Sequence, residues 1–72
     1  MHILDLSGIM CPMPVLKTKK FLAPLVSGEK VTIITTDPDS LQDLQNFCHK
    51  TGNYLESQTQ SADKIITIIV RR

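Results

Sequence analysis

The stretch VTIITTDPDSLQDLQNFCHKTG, residues 31–52, predicts a β-strand followed by an amphipathic helix. Its first six residues are all β-branched, which is typical of strands. Asp37 or Asp39 can cap the following helix. Pro38 is compatible with this start, because proline is tolerated in the first helical position. Gly52 is expected to end the helix as its C-terminal cap. The face that we expect to be buried consists of Leu41, Leu44, Phe47, Cys48 and Thr51.

The flanking sequence extends this unit to the order βαβαββ. Residues 2–6 predict a short strand, Pro12 to about Ala23 a first helix, and Tyr54–Gln60 a polar strand near a sheet edge. A last strand is predicted over Lys64–Arg71. Each β–helix–β step favours a right-handed crossover, which places both helices on one face of a four-stranded mixed sheet. We therefore expect a two-layer α/β (α+β) sandwich, with residues 1–72 as a single domain.

The first helix has an apolar face, but the sequence leaves its end open. Val15, Leu22 and Val26 align on a helical wheel, which predicts that they share the buried side. Pro24 removes one backbone donor and disfavours a helical conformation at Ala23, so the helix either ends there or kinks.

Composition and charge exclude several classes of protein. Eight basic and seven acidic residues give a net charge of +1, and only three of the 72 residues are aromatic. Backbone neutralisation and base stacking therefore lack material, which argues against direct nucleic-acid binding. No apolar run approaches the roughly 20 residues of a membrane-spanning helix, and the first residues do not resemble a secretory signal. These features predict a cytoplasmic protein that does not enter a membrane.

The two cysteines, Cys11 and Cys48, are too few for the disulfide framework of a small secreted protein. Together with the two histidines they contain no short-spaced pair of metal ligands, so we predict no metal site. If the two helices run parallel, Cys11 lies at the start of one and Cys48 near the end of the other. We therefore expect no disulfide between them, and we expect Cys48 to pack in the core.

The segment GIMCPMPVL, residues 8–16, carries the candidate chemistry. Cys11 precedes Pro12, which predicts a non-helical conformation and the N-cap position. Because Pro12 and Pro14 have no N–H, the Met13 N–H would point at whatever the Cys11 side chain carries. The helix dipole would then favour the thiolate, the nucleophilic form of cysteine. The alternative is a small buried cysteine in a rigid turn.

The surroundings of Cys11 narrow its chemistry. A disulfide oxidoreductase would need a second cysteine where Pro14 stands, and no Cys–His pair for acyl transfer is evident. What remains is a lone reactive thiol that accepts an atom or group and passes it on.

The sequence resembles the TusA/SirA-like sulfur-carrier family over essentially its whole length. The resemblance is carried by Asp5-Leu6-x-Gly8-x-x-Cys11-Pro12-x-Pro14-Val15-x-x-x-Lys19, Gly28-Glu29, Thr36-Asp37-Pro38, Asp43, Phe47-Cys48 and Gly52. It implies a βαβαββ sandwich and a sulfurtransferase in which Cys11 carries sulfane sulfur as a persulfide. The implied partners are a cysteine desulfurase or rhodanese-like donor and a sulfur-acceptor protein, in pathways such as tRNA thiolation or sulfur oxidation. Pro24 departs from the continuous first helix of the family.

Other residues near the motif have alternative roles. We expect Met10 and Met13 to form a soft apolar rim for a partner, and Lys17 and Lys20 to form a solvated basic face. Lys19 falls within the apolar arc, where it either covers apolar surface with its alkyl stem or offers a positive charge to a partner or to the sulfur.

The sequence leaves two further questions open. Asp43 either bonds locally or pairs with a basic residue. The competing function is a non-catalytic regulatory or RNA- or protein-binding module; a broad basic or aromatic surface would favour it, and the sequence lacks one.

Overall fold

The predicted elements occur in the predicted order in the computed structural model, which describes residues 2–72. The elements are β1 (His2–Leu6), α1 (Met13–Leu22), β2 (Lys30–Thr35), α2 (Ser40–Thr51), β3 (Tyr54–Gln60) and β4 (Ile65–Val70). The expected βαβαββ order is therefore confirmed. Two of the strands differ slightly from prediction, since β2 lies one residue earlier and β4 is one residue shorter at each end.

Within the described residues the four strands form one mixed sheet in the order β1-β2-β4-β3. β1 and β2 are parallel, with Leu4 opposite Ile33, and β4 is antiparallel to both of its neighbours. β2 and β3 therefore point the same way, so α1 and α2 each return against the strand direction and run side by side. The helices contact each other and the sheet. The two-layer sandwich and the edge position of β3 are both confirmed.

The core lies between the helices and one face of the sheet. It consists of Leu6, Leu22, Val31, Ile33, Leu44, Phe47, Cys48 and Ile69. Alternate residues of β2 are buried, because successive side chains of a strand point to opposite faces. The predicted core position of Cys48 is confirmed, whereas Val26 is 66% exposed, contrary to prediction. Val26 lies beyond the end of α1, so the helical spacing no longer applies to it.

The first helix begins one residue later than predicted, and Cys11 is not its N-cap. Pro12 holds that position with φ −94° and ψ 7°, and the Cys11–Pro12 peptide bond is cis. The Met13 N–H is also not free, since it donates to the Met10 carbonyl at 3.0 Å. A turn over residues 10–13 thus precedes the helix and leaves Cys11 in the loop.

The first helix ends before Pro24. Ala23 is the C-cap, and its N–H donates to the Lys19 carbonyl. A turn then follows, in which the Leu25 N–H donates to the Leu22 carbonyl at 3.0 Å. The helix therefore ends before Pro24 and does not kink through it.

The second helix also begins later than predicted. Its N-cap is Asp39, which makes no capping hydrogen bond with its side chain, and Pro38 precedes the helix. Asp39, one of the two predicted capping residues, therefore occupies the N-cap position without a side-chain capping bond, while the Asp37 carboxylate accepts the Asp39 N–H. At the other end, Gly52 has φ 79° and its N–H donates to the Cys48 carbonyl, which confirms the predicted C-cap.

Candidate functional site

The loops that follow β1 and β2 meet at the carboxyl ends of these two strands. Because these strands are parallel neighbours, their carboxyl ends lie side by side, where open α/β sheets commonly build their sites. The Gly8 N–H donates to Thr36 Oγ1 at 2.8 Å, and the Cys11 N–H donates to Asp37 Oδ2 at 2.6 Å. The second loop therefore positions the cysteine of the first.

The turn after β1 follows from its residues. Gly8 has φ 79°, a left-handed conformation that glycine adopts without a steric penalty. The Asp5 carboxylate accepts hydrogen bonds from the Ser7 N–H at 3.0 Å and the Ser7 hydroxyl at 2.6 Å. The Ile9 N–H then returns to the Leu6 carbonyl at 3.1 Å. This turn directs the chain back over the sheet edge towards Cys11.

Asp37 is a buried carboxylate that joins the two loops. It is only 4% exposed. One oxygen accepts the Cys11 N–H and the other accepts the Asp39 N–H at 3.0 Å. A buried carboxylate must be hydrogen-bonded to be tolerated, so these two bonds explain how Asp37 is accommodated.

The Cys11 side chain is exposed, and its thiol donates a hydrogen bond to Asp43 Oδ2 at 2.8 Å. This bond is the largest cause that raises the pKa of Cys11 to about 11, followed by desolvation and by the negative charges of Asp43, Asp37 and Asp39. The expected thiolate is therefore wrong for this arrangement. A hydrogen-bond acceptor and negative charges beside a thiol disfavour its ionised form, so this arrangement favours the protonated thiol.

Cys48 differs from Cys11 in both access and surroundings. It is 4% exposed, and burial raises the pKa of its thiol to about 11. A partner molecule can reach Cys11, while Cys48 is covered by the core.

A groove of about 470 Å³ runs from Cys11 between the two helices. Its lining consists of Cys11, Pro12, Val15, Leu16, Lys19, Asp43, Asn46, Phe47, Lys50 and Thr51. A second cavity of about 340 Å³ shares Lys19, Phe47 and Thr51 with it and reaches Arg71 and Arg72. The concave surface thus has carboxylates beside Cys11 and basic side chains farther along the helices.

The three lysines of α1 line two different cavities. Lys19 lines the groove that contains Cys11, whereas Lys17 and Lys20 line a different cavity beside Ile9 and Phe21. On the motif itself, Pro14 is buried, while Met10 and Met13 are 67% and 42% exposed.

Two functional contacts were missed from the sequence. The roles of Asp37 and Asp43 at Cys11 depend on residues 26 and 32 positions away along the chain. A usable signal was present: acidic residues follow β2, whose carboxyl end lies beside the carboxyl end of β1, where the loop of Cys11 begins.

Within residues 2–72, no group of three or more His, Cys, Asp or Glu side chains is arranged to hold a metal ion. No helix in this described part of the chain is long and apolar enough to cross a bilayer.

Comparisons with known proteins agree with the fold and the motif. The family model described as sulfurtransferase TusA matches residues 2–72. A sulfur carrier protein TusA of Allochromatium vinosum is 39% identical over 66 residues, covering 92% of this chain and 87% of that protein. A putative sulfur carrier protein of Neisseria meningitidis is 35% identical over 68 residues, covering 94% and 90%. The crystal structure of a SirA-like protein from Desulfitobacterium hafniense superimposes with a TM-score of 0.84 at 34% identity, covering 97% and 96%.

Proposed function

The chain belongs to the TusA sulfurtransferase family and is a sulfur carrier, and we propose that Cys11 is the residue that carries the sulfur. The observation that supports this assignment is the difference in exposure between the two cysteines. Cys11 is exposed at the rim of a groove, whereas Cys48 is buried in the core. Only Cys11 can meet the sulfur atom of another protein without unfolding.

The reaction is an exchange of one sulfur atom between two thiols. The Cys11 sulfur attacks the outer sulfur of a donor persulfide, so a new S–S bond forms on Cys11 while the donor S–S bond breaks. The Cys11 proton is released and the departing donor thiolate takes one up. The products are the donor thiol and a Cys11 persulfide, with no net oxidation or reduction. A second exchange of the same kind delivers the sulfur to an acceptor.

The proposed partners are a cysteine desulfurase or a rhodanese-like protein as donor, and an acceptor protein downstream. Met10, Met13 and Leu16 form an exposed apolar rim near Cys11, which suits contact with a partner surface. Lys19 in the groove would meet acidic groups of the partner, and Lys17 and Lys20 would act from the neighbouring face.

We also propose a domain organisation, a cellular location and a cofactor requirement for this function. Residues 1–72 would act as one domain in the cytoplasm, as a sulfurtransferase whose exchange reaction uses only thiols and needs no metal or organic cofactor. The alternative of a non-catalytic binding module is not favoured by the family match or by the names of the relatives.

Sulfur loading tests the assignment directly. The protein is incubated with a cysteine desulfurase and cysteine, and its intact mass is recorded before and after reduction. We expect a gain of one sulfur atom in the wild type and in Cys48→Ala, and none in Cys11→Ser. Sulfur bound by Cys11→Ser to the same extent as by the wild type would refute the role of Cys11.

A further inference from the structure

The Cys11 thiol is hydrogen-bonded before any partner arrives. Its acceptor, Asp43 Oδ2, lies 2.8 Å from the sulfur. Asp43 belongs to the first turn of α2, and the backbone of Cys11 is fixed separately by Asp37. The thiol and the carboxylate are thus brought together by two rigid attachments.

We propose that Asp43 is a positioning residue that restrains Cys11: its hydrogen bond holds the thiol in the resting carrier and must break before sulfur is accepted. This inference rests on the proposed function of Cys11. The proton that Cys11 must lose is the one that Asp43 binds. A docked partner starts the exchange by breaking this hydrogen bond, and the S–S bond then forms on Cys11 as the donor S–S bond breaks, with the proton passing to the donor thiolate.

The negative charges around the Cys11 thiol also oppose its ionisation. Asp37 and Asp39 lie on the loop before α2, and both add to the negative field at Cys11. Among the residues that the structure describes, no Lys, Arg or His forms an ion pair with any of the three carboxylates. Lys19 and Lys50 face the same groove. The field at the sulfur therefore opposes the thiolate in the isolated protein.

The same arrangement acts on the loaded carrier. When an acceptor takes the outer sulfur, Cys11 leaves as a thiolate beside Asp43, and a leaving thiol of high pKa departs slowly. Asp43 therefore also delays the loss of sulfur to small thiols. The carrier would keep its cargo until a bound acceptor changes the surroundings of this carboxylate.

The test measures how fast neutral iodoacetamide modifies Cys11 as a function of pH, with peptide mapping to exclude Cys48. Asp43→Asn keeps the side-chain shape but removes the charge, so we expect the midpoint of the profile to fall. At about pH 7.5 the rate should rise roughly tenfold or more, because the thiolate is the reactive form. Uptake of sulfur from glutathione persulfide, followed by intact mass, should accelerate in the same direction.

Asp39→Asn is the matched control, because it removes one nearby negative charge without touching the sulfur. We expect a rate increase of less than roughly threefold from this exposed position. A profile that Asp43→Asn leaves in place, or that Asp39→Asn moves equally far, would overturn the inference.

The denatured wild type provides a second test of the inference. If Asp43→Asn does not fold, the wild type is compared with itself in guanidinium chloride, where the midpoint must fall if the folded structure restrains the thiol. A midpoint that is the same in both states contradicts the inference. Alkylation needs no sulfur donor, so a failure of Cys11 to accept sulfur would refute the proposed function without altering this result.

Discussion

Replacing Thr18 by valine should stabilise the protein. Thr18 lies in the middle of α1, is fully buried, and its Oγ1 has no hydrogen-bond partner in the described part of the chain. Valine has nearly the same shape and replaces the hydroxyl with a methyl group. Both residues are β-branched and have similar helix propensities, so the change affects mainly the buried polar atom.

The magnitude follows from the cost of burying an unpaired hydroxyl. That cost is about 1–3 kcal/mol in protein mutational data. Thr18→Val should therefore raise the free energy of unfolding by about 1–2 kcal/mol. For a domain of this size each kcal/mol corresponds to about 4–8 °C in melting temperature, so the change is easily measured.

Thr35→Val makes the same chemical change at a satisfied hydroxyl. Thr35 is also fully buried, but its Oγ1 lies 2.6 Å from Ser40 Oγ and donates to the Ile65 carbonyl at 3.5 Å. We expect this variant to lose about 1–3 kcal/mol, because it removes these hydrogen bonds inside the fold.

Urea unfolding followed by far-UV circular dichroism gives both values, with the slope of the transition checked for constancy. The reasoning requires opposite signs for the two variants. A Thr18→Val protein that is less stable than the wild type, or a Thr35→Val protein that is equally stable, would refute it.

Three other outcomes can be measured with standard assays. Cys48→Ala should lose about 1–2 kcal/mol of stability through the cavity it leaves in the core, yet take up sulfur at the wild-type rate. Asp37→Ala should cost about 1–3 kcal/mol of stability, since it leaves the N–H of Cys11 without its acceptor; an unchanged urea midpoint would show that this contact does not hold the two loops together. A hydroxyl hydrogen bond lowers the pKa of Asp5 and a backbone N–H hydrogen bond lowers the pKa of Glu29, so both contribute stability above their ordinary pKa values. That stability is lost as the pH falls below about 4 and through the lowered pKa values of the two carboxyls. In an Asp5→Asn, Glu29→Gln double variant, the urea midpoint should therefore change less with acid pH than in the wild type.

The elements and their order could be predicted from local sequence because local chemistry determines them. The alternation of β2 and the glycine at Gly52 act over a few neighbouring residues, and the structure agrees with both. The helix starts were less predictable. A turn that pairs the Met13 N–H with the Met10 carbonyl competes with the helix, and hydrophobic periodicity contains no information about that choice.

For the candidate site, the sequence by itself determined that a cysteine precedes Pro12 after the first strand, and the motif around it indicated the family. Only the tertiary structure decided the state of that cysteine. Local reasoning included the helix dipole and therefore predicted a thiolate, whereas the folded chain brings Asp43 within 2.8 Å and reverses the direction. The physical reason is that a pKa depends on charges and hydrogen bonds in space. Asp43 is 32 residues away along the chain. It reaches Cys11 only because the parallel strands β1 and β2 have their carboxyl ends side by side.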